Sequence, residues 1–468
     1  MKATKIIALL TLNSLVPFSA HANRHTNFIV ILLDDMGYGD LGSTGAIGYG
    51  TPNLDKMAND GIRFTRFYSA QAVSGASRAG LLTGCYPNRI GMYGAPDHLS
   101  KRGISEKEET IADILKAKGY ACAAYGKWHL GFQKQFLPTH HGFDEFYGIP
   151  YSNDMWPNHP TGEYPPLPLI EGDETISYVT DQSQFTTDFT NRTLTFIEKN
   201  KNHPFFIYLA HPMPHVPLAV SNKFKGHSKQ GLYGDVMMEI DWSIGEILKK
   251  LKKEGLDNNT LVIFTSDNGP WLNYGNHAGS TGGLREGKGV SFEGGQRVPC
   301  IMYWPSEIEK GIICSNLVSA IDILPTIATI SGSKKPRQKI DGVDISSLFK
   351  KKNKAVPRKN FVYYYRQNDL EAVTDGEFKL VFPHKYRSYE GLVPGNDGNP
   401  GQINEYKELK DTLLFNLRRD PGERYNLMGS EPQRVKALLK VTENYKTELG
   451  DDLSGKRGRE IRPCGFAQ

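Results

Sequence analysis

Ser74-Gly75-Ala76-Ser77-Arg78 is a small-residue run with two hydroxyls, closed by an arginine and followed by the helical Ala79-Gly80-Leu81-Leu82. Small side chains let backbone approach a ligand closely, and a helix start favours an anion. The stretch can therefore present a nucleophile at a helix N-terminus with Arg78 one turn further on; an N-capped surface helix has the same composition. Asp34-Asp35 follows the continuous apolar run 28–33, and Asp267-Asn268 follows the run 261–265. Buried strands ending in oxygen-bearing side chains would bring them to one sheet edge, where ligands bind in open α/β sheets. Either pair by itself is equally a solvated turn. Lys127 and His129 stand two apart in Gly-Lys-Trp-His-Leu-Gly after another strand, and Lys288 sits between glycines. Both lysines are candidate anion clamps. His211 and His215 lie in a loop whose prolines hold the imidazoles in place.

The elements that must position these residues alternate. Strands are expected at 28–33, 64–70, 120–125, 204–210, 261–265 and 298–304. Helices are expected from Thr51, from Ser74, and at 105–118, 233–253 and 317–330, with one more placing Phe185, Phe189 and Phe196 on a single face. Residues 140–154 carry too many aromatics and glycines for a regular element, and the stretch to 168 reads as a long ordered loop. This alternation predicts an α/β fold, a large and mostly parallel sheet covered on both faces. After a basic linker at 350–359 the pattern changes to short strands at 361–366, 372–374, 379–382 and 413–417, then a helix at 432–449. The expected organisation is a catalytic domain over 23–350 and a smaller α+β domain over 351–468.

Composition bounds the function. The chain has 468 residues, 39% hydrophobic and 23% charged, with a net charge of +5, ordinary for a soluble globular protein. No basic run suggests a nucleic-acid surface, whereas mild basicity suits a polyanionic substrate. Lys2 and Lys5 precede an apolar stretch, and Ala20-His21-Ala22 offers a cleavage site, so 1–22 reads as a signal peptide. Export to the periplasm or beyond follows, and no other stretch is apolar enough to span a membrane. The five cysteines, Cys85, Cys122, Cys300, Cys314 and Cys464, are odd in number and scattered, which favours buried free thiols.

Six dispersed motifs occur in one register: Asp34-Asp35, S-x-A-S-R, G-K-W-H-L-G, the proline-bracketed His215, S-D-N-G, and Lys288 before E-G-G-x-R-V-P. In this the chain resembles the type I sulfatases, most closely the arylsulfatase A type, over nearly its whole length to L-F-N-L-R-R-D-P-G-E-R-Y-N-L. The resemblance implies an alkaline phosphatase/sulfatase-like fold and hydrolysis of sulfate esters. It implies that a maturation enzyme oxidises Ser74 to formylglycine, whose hydrate performs catalysis. It also implies a divalent cation, Ca²⁺ ahead of Mg²⁺, on Asp34, Asp35, Asp267, Asn268 and the residue formed from Ser74; oxygen-only ligands suit such a hard ion. By the same correspondence Arg78 holds the hydrate, Lys127 and Lys288 neutralise the sulfate, His215 protonates the leaving alcohol and His129 takes the hydrate proton.

Serine at position 74 with Ala76 matches the serine-type maturation motif; a serine replacing a native cysteine, or one left unmodified in a glycan-binding protein without turnover, reads the same. A related phosphoryl hydrolase is the enzyme alternative, although a two-zinc site needs more histidines than Asp267-Asn268 provides. A sulfated carbohydrate is the expected substrate, with Asn153, Asp154, Trp156, His159 and His211 binding hydroxyls or stacking on a sugar. The same aromatic loop residues would equally serve to pin the loop.

Overall fold

The computed structural model describes residues 25–351, 354–402 and 406–468; the expected signal peptide and some of the expected linker lie outside the described residues. Asn27–Leu33 runs through the middle of an 11-stranded sheet, parallel to Phe205–Ala210 on one side and Thr260–Ser266 on the other. Its apolar run is buried throughout because it has a hydrophobic layer on each face. Phe28, Val30 and Leu32 enter one core, and Ile29, Ile31 and Leu33 the other, as the two-residue period of a strand requires. Ala121–Lys127 and Glu145–Ile149 extend the parallel region. Arg297–Tyr303 and Ile62–Tyr68 continue the other side antiparallel, which makes the sheet mixed. Helices Pro52–Asp60, Phe185–Asn200 and Leu232–Lys253 cover one face. Ser74–Thr83, Ile111–Lys116 and Ile323–Ser331 cover the other.

Several expected elements differ in the structure. The helix expected over 105–118 is confined to Ile111–Lys116, because Thr110 caps it by accepting from the Asp113 amide at 3.3 Å. The stretch 140–154, expected to be irregular, contains the strand Glu145–Ile149. Its glycine is required there: Gly148 is the register partner of Gly126, and a Cβ on it would stand 1.8 Å from the Gly126 carbonyl oxygen. The loop from 150 runs into an unexpected hairpin, Pro168–Glu171 with Glu174–Tyr178, at the sheet edge. The helix expected from 317 begins at Ile323, since Val318–Ser319 pairs with Ile62–Tyr68 first.

The C-terminal unit is a four-stranded antiparallel sheet of Phe361–Tyr365, Asp369–Thr374, Phe378–Val381 and Leu413–Asn416, with helix Pro432–Leu449 packed on it. His384–Arg387 and Tyr406–Leu409, not expected as strands, pair antiparallel in a separate two-stranded sheet. The two sheets share a core in which Tyr68, Tyr86 and Phe292 meet Phe361, Tyr363 and Tyr364. Within that core Lys379 pairs with Glu293 at 3.2 Å and Glu423 at 2.8 Å, and Tyr68 and Tyr363 each donate to Glu293 at 2.8 Å. All five cysteines are free thiols, four of them buried.

Candidate active site

The site grows from the ends of the central strands. Leu33 and Ser266 are register partners, so the chains leaving them carry Asp34-Asp35 and Asp267-Asn268 side by side. The Asp267 amide donates to the Leu33 carbonyl at 3.0 Å, and the Asp35 amide donates to Asp267 Oδ1 at 3.2 Å. Asn268 Nδ2 donates to Asp35 Oδ1 at 2.6 Å, while buried Asn268 Oδ1 has no partner among the described residues. Ser74 is the first residue of its helix, behind an extended Val73. Its Oγ donates to Asp267 Oδ2 at 2.5 Å, lies 3.4 Å from Asp34 Oδ1 and accepts from Arg78 Nε at 3.0 Å. The buried Arg78 spans the group, with Nη2 2.9 Å from Asp267 and 3.4 Å from Asp34, and Nη1 donating to the Lys127 carbonyl at 2.8 Å.

The remaining cations close round this core. Lys127 ends its strand on Asp34 and also donates to Ser152 Oγ at 3.0 Å. Lys288 reaches Asp35 at 2.8 Å and sits 4.6 Å over the Trp271 ring. His215 holds Nδ1 2.5 Å from the Val216 carbonyl oxygen, leaving Nε2 3.5 Å from Asp35 Oδ2. His129, at a φ of 64°, is buried with neither ring nitrogen partnered among the described residues.

Burial works against every charge here, and the partners decide the outcome. Burial alone would raise the Asp34 carboxyl; Lys127, with His215 and Arg78, overcomes it and holds the group well below the usual carboxylate range. For Asp267 burial wins, with the Asp34 charge beside it, and the carboxyl is pushed up to about 6. Burial and then Lys127 and Arg78 push His129 well below an ordinary imidazole, so it is a neutral acceptor. Burial would lower Lys288, but Asp35 and Asp34 keep it raised. Ser74, Lys127, His129, His215 and Lys288 all face one cavity of about 410 Å³.

The family model of sulfatases matches residues 26–333. The chain belongs to the sulfatase family. A model of the C-terminal region of aryl-sulfatases matches 357–457, and one of the N-sulphoglucosamine sulphohydrolase C-terminal region matches 287–390. N-acetylgalactosamine-6-sulfatase of Mus musculus is 38% identical, over 93% of this chain and 88% of its own. Arylsulfatase A of Bos taurus is 37% identical, over 93% and 90%. Among solved structures, the PsFucS1 sulfatase from Pseudoalteromonas sp. superposes with a TM-score of 0.80 at 29% identity, covering 90% of this chain and 91% of its own. This sulfatase is a sulfuric ester hydrolase.

Of the residues expected to touch substrate, the sulfatase fold brings Asp154 and His159 to the cavity wall and turns the others away from it. Asn153 is buried in the loop, its Nδ2 donating to Gln182 Oε1 at 3.0 Å. Trp156 packs half-buried against the helix-covered core. His211 lies under the site with Nε2 3.3 Å from Ser243 Oγ, and burial lowers it to about 3. None of these three lines the cavity. Ser152, Trp271, Tyr365 and Arg387 line the cavity and were absent from the sequence reading. Trp271 stands two residues after Ser-Asp-Asn-Gly and was within reach of the motif, whereas Tyr365 and Arg387 arrive from the C-terminal sheet with no sequence mark.

Proposed function

We propose that this sulfatase removes sulfate from a sulfated carbohydrate, using a formylglycine made from Ser74 and a divalent cation, Ca²⁺ ahead of Mg²⁺. The observation that carries the reading is the position of Ser74 Oγ, 2.5 Å from Asp267 and 3.0 Å from Arg78 Nε, at the foot of a cavity ringed by Lys127, Lys288, His129 and His215. Asp34, Asp35, Asp267 and Asn268 fit a hard cation: every donor is oxygen, and the buried Asn268 Oδ1 has no partner among the described residues. A bound cation supplies Lewis acidity that makes a hydroxyl a nucleophile at neutral pH. The formylglycine hydrate supplies two hydroxyls on one carbon, one to attack sulfur and one to drive sulfate release, where an unmodified serine has only the first.

The chain's own groups do the rest. Arg78, braced by Asp267 and the Lys127 carbonyl, orients the oxygens at position 74. Lys127 and Lys288 face the sulfate's non-bridging oxygens, where preorganised charge acts at no reorganisation cost. His215, with Nδ1 fixed on the Val216 carbonyl, carries a proton at Nε2 for the leaving alcohol. His129, neutral and unpartnered among the described residues, accepts the proton from position 74. Asp154 and His159 hold sugar hydroxyls. The likeness to N-acetylgalactosamine-6-sulfatase supports a sugar sulfate. The N-terminal apolar segment supports export, and no helix among the described residues is long and apolar enough to cross a membrane.

Peptide mass analysis of the exported protein tests the reading: an aldehyde at position 74 is expected, together with sulfate release from N-acetylgalactosamine 6-sulfate. Quantitative serine from a maturation-competent host would make this a binding protein without turnover. Activity on p-nitrophenyl sulfate but on no sugar sulfate would remove the carbohydrate substrate.

A further inference from the structure

The C-terminal unit contributes Tyr365 and Arg387 to the cavity wall. Tyr365 ends the strand Phe361–Tyr365, and Arg387 ends the strand His384–Arg387. The residues after Arg387 are fastened to the loop that carries Lys288. Ser388 Oγ donates to Glu286 Oε1 at 2.8 Å, the Tyr389 amide donates to Glu286 Oε2 at 2.7 Å, and Tyr389 Oη donates to the Lys288 carbonyl at 2.7 Å. Gly289, at a φ of 80°, lies so close that a Cβ on it would stand 3.0 Å from Tyr365 Oη. Arg387 is therefore held against the catalytic loop by a buried carboxylate and two aromatic neighbours, and its position is preorganised.

Arg387 also borders a second hollow of about 420 Å³, which shares Trp271, His159 and Arg387 with the first and is floored by Tyr274 and Tyr389. Arg78, Lys127 and Lys288 each lie against a carboxylate of the Ser74 cluster. Arg387 differs: among the described residues it makes no ion pair with a carboxylate, and the phenols of Tyr389, Tyr365 and Tyr406 stand about its half-buried guanidinium. A guanidinium that lines a cleft with no carboxylate paired to it among the described residues is matched to an incoming planar or tetrahedral oxyanion, which it can bind through two parallel N–H bonds. The aromatic floor beside it suits a sugar ring.

We propose that Arg387 is a specificity-determining residue that receives a second anionic group, a carboxylate or a sulfate, on the sugar next to the one being desulfated. This rests on the reading of the substrate as a sulfated carbohydrate and narrows it to oligosaccharides with a charged neighbour. The sulfate being cleaved belongs to the Ser74 cluster; the second anion belongs to the hollow beyond Trp271.

The test compares N-acetylgalactosamine 6-sulfate with its disaccharides whose neighbouring sugar is a uronate, a sulfated neutral hexose or an unsulfated neutral hexose. The wild-type kcat/KM is expected to be about 10–100-fold higher for a charged neighbour than for the neutral one, the range for hydrogen bonds to charged groups. The uronate and sulfate arms identify which anion is read. Arg387→Ala should erase this preference, raising KM for the charged disaccharides about 10–100-fold more than for the monosaccharide, and Arg387→Lys should keep some of it. Calorimetric binding of the same sugars to protein with unmodified Ser74 gives the comparison without turnover. Absence of a wild-type preference, or an equal loss on every sugar in a folded Arg387→Ala protein, overturns the proposal and leaves the carbohydrate reading standing. Turnover of p-nitrophenyl sulfate with neither turnover nor binding of any sugar removes both.

Discussion

At the scale of single residues, the site sets charge against burial, and function against stability. Asp267 is pushed up to about 6 by burial and by Asp34, so its ionised form weakens the fold of the metal-free protein as pH rises through that value. A raised carboxyl favours the folded state below its unfolded pKa, and that advantage is lost above the folded one. Asp267→Asn should therefore raise the Tm of metal-stripped protein at pH 8 more than at pH 4, in calorimetric scans. The same change removes a charged ligand of the proposed cation and Arg78's partner, so sulfate release should fall by at least about 10²-fold, the size of losing one preorganised electrostatic group. His129→Gln, by contrast, should lower kcat with little change in KM if the imidazole, unpartnered among the described residues, has the proton-accepting role proposed for it.

At the scale of elements, strand ends and their glycines place the catalytic groups. Gly126 adopts a φ of 106°, and a Cβ on it would lie 2.0 Å from the Ala210 carbonyl oxygen. Gly126→Ala must therefore push its strand away from the one carrying Ala210 and shift Lys127, with loss of both activity and Tm expected. In the C-terminal sheet, Glu371 lies buried on Asp369–Thr374 opposite His384 at 3.4 Å. Burial raises Glu371 to about 8 and lowers His384 to about 4, so the pair is neutral over most of the physiological range. The Glu371 advantage is complete below the ordinary carboxylate pKa and fades as pH rises towards 8. Glu371→Gln should leave Tm unchanged at pH 4 and raise it at pH 8.

For the whole molecule, the buried Lys379 joins the two sheets through Glu293 and Glu423, only a few residues from the loop that carries Lys288. Removing one partner of a buried ionic cluster leaves uncompensated charge and costs about 3–5 kcal/mol. Lys379→Met should lower stability by that amount in urea titrations. The unfolding of both sheets should remain a single transition, because Phe361, Tyr363 and Tyr364 share a core with Tyr68 and Tyr86. Separate transitions would show that the C-terminal sheet is an independent unit, and would weaken the case that it fixes Arg387 in the cleft.

The sequence alone determined the central strand, the helix starting at Ser74, the final helix and the motifs that meet at one cavity. Each of these is written locally: a continuous apolar run marks a strand buried on both faces, and short motifs put chemistry at its end. That Asp34-Asp35 and Asp267-Asn268 meet also followed, since both come off strand ends on one edge of the sheet. Tertiary structure decided what depends on a distant partner. The strand Glu145–Ile149 exists because Gly148 finds Gly126, and no local pattern distinguishes that stretch from a loop. Asn153, Trp156 and His211 have side chains fit to hold a sugar, yet packing turned them from the cavity wall, while Arg387 reached it from more than 300 residues beyond Ser74 in the chain. Spacing shows which chemistry a segment can do; only the packing of one segment on another shows which side of it faces the substrate.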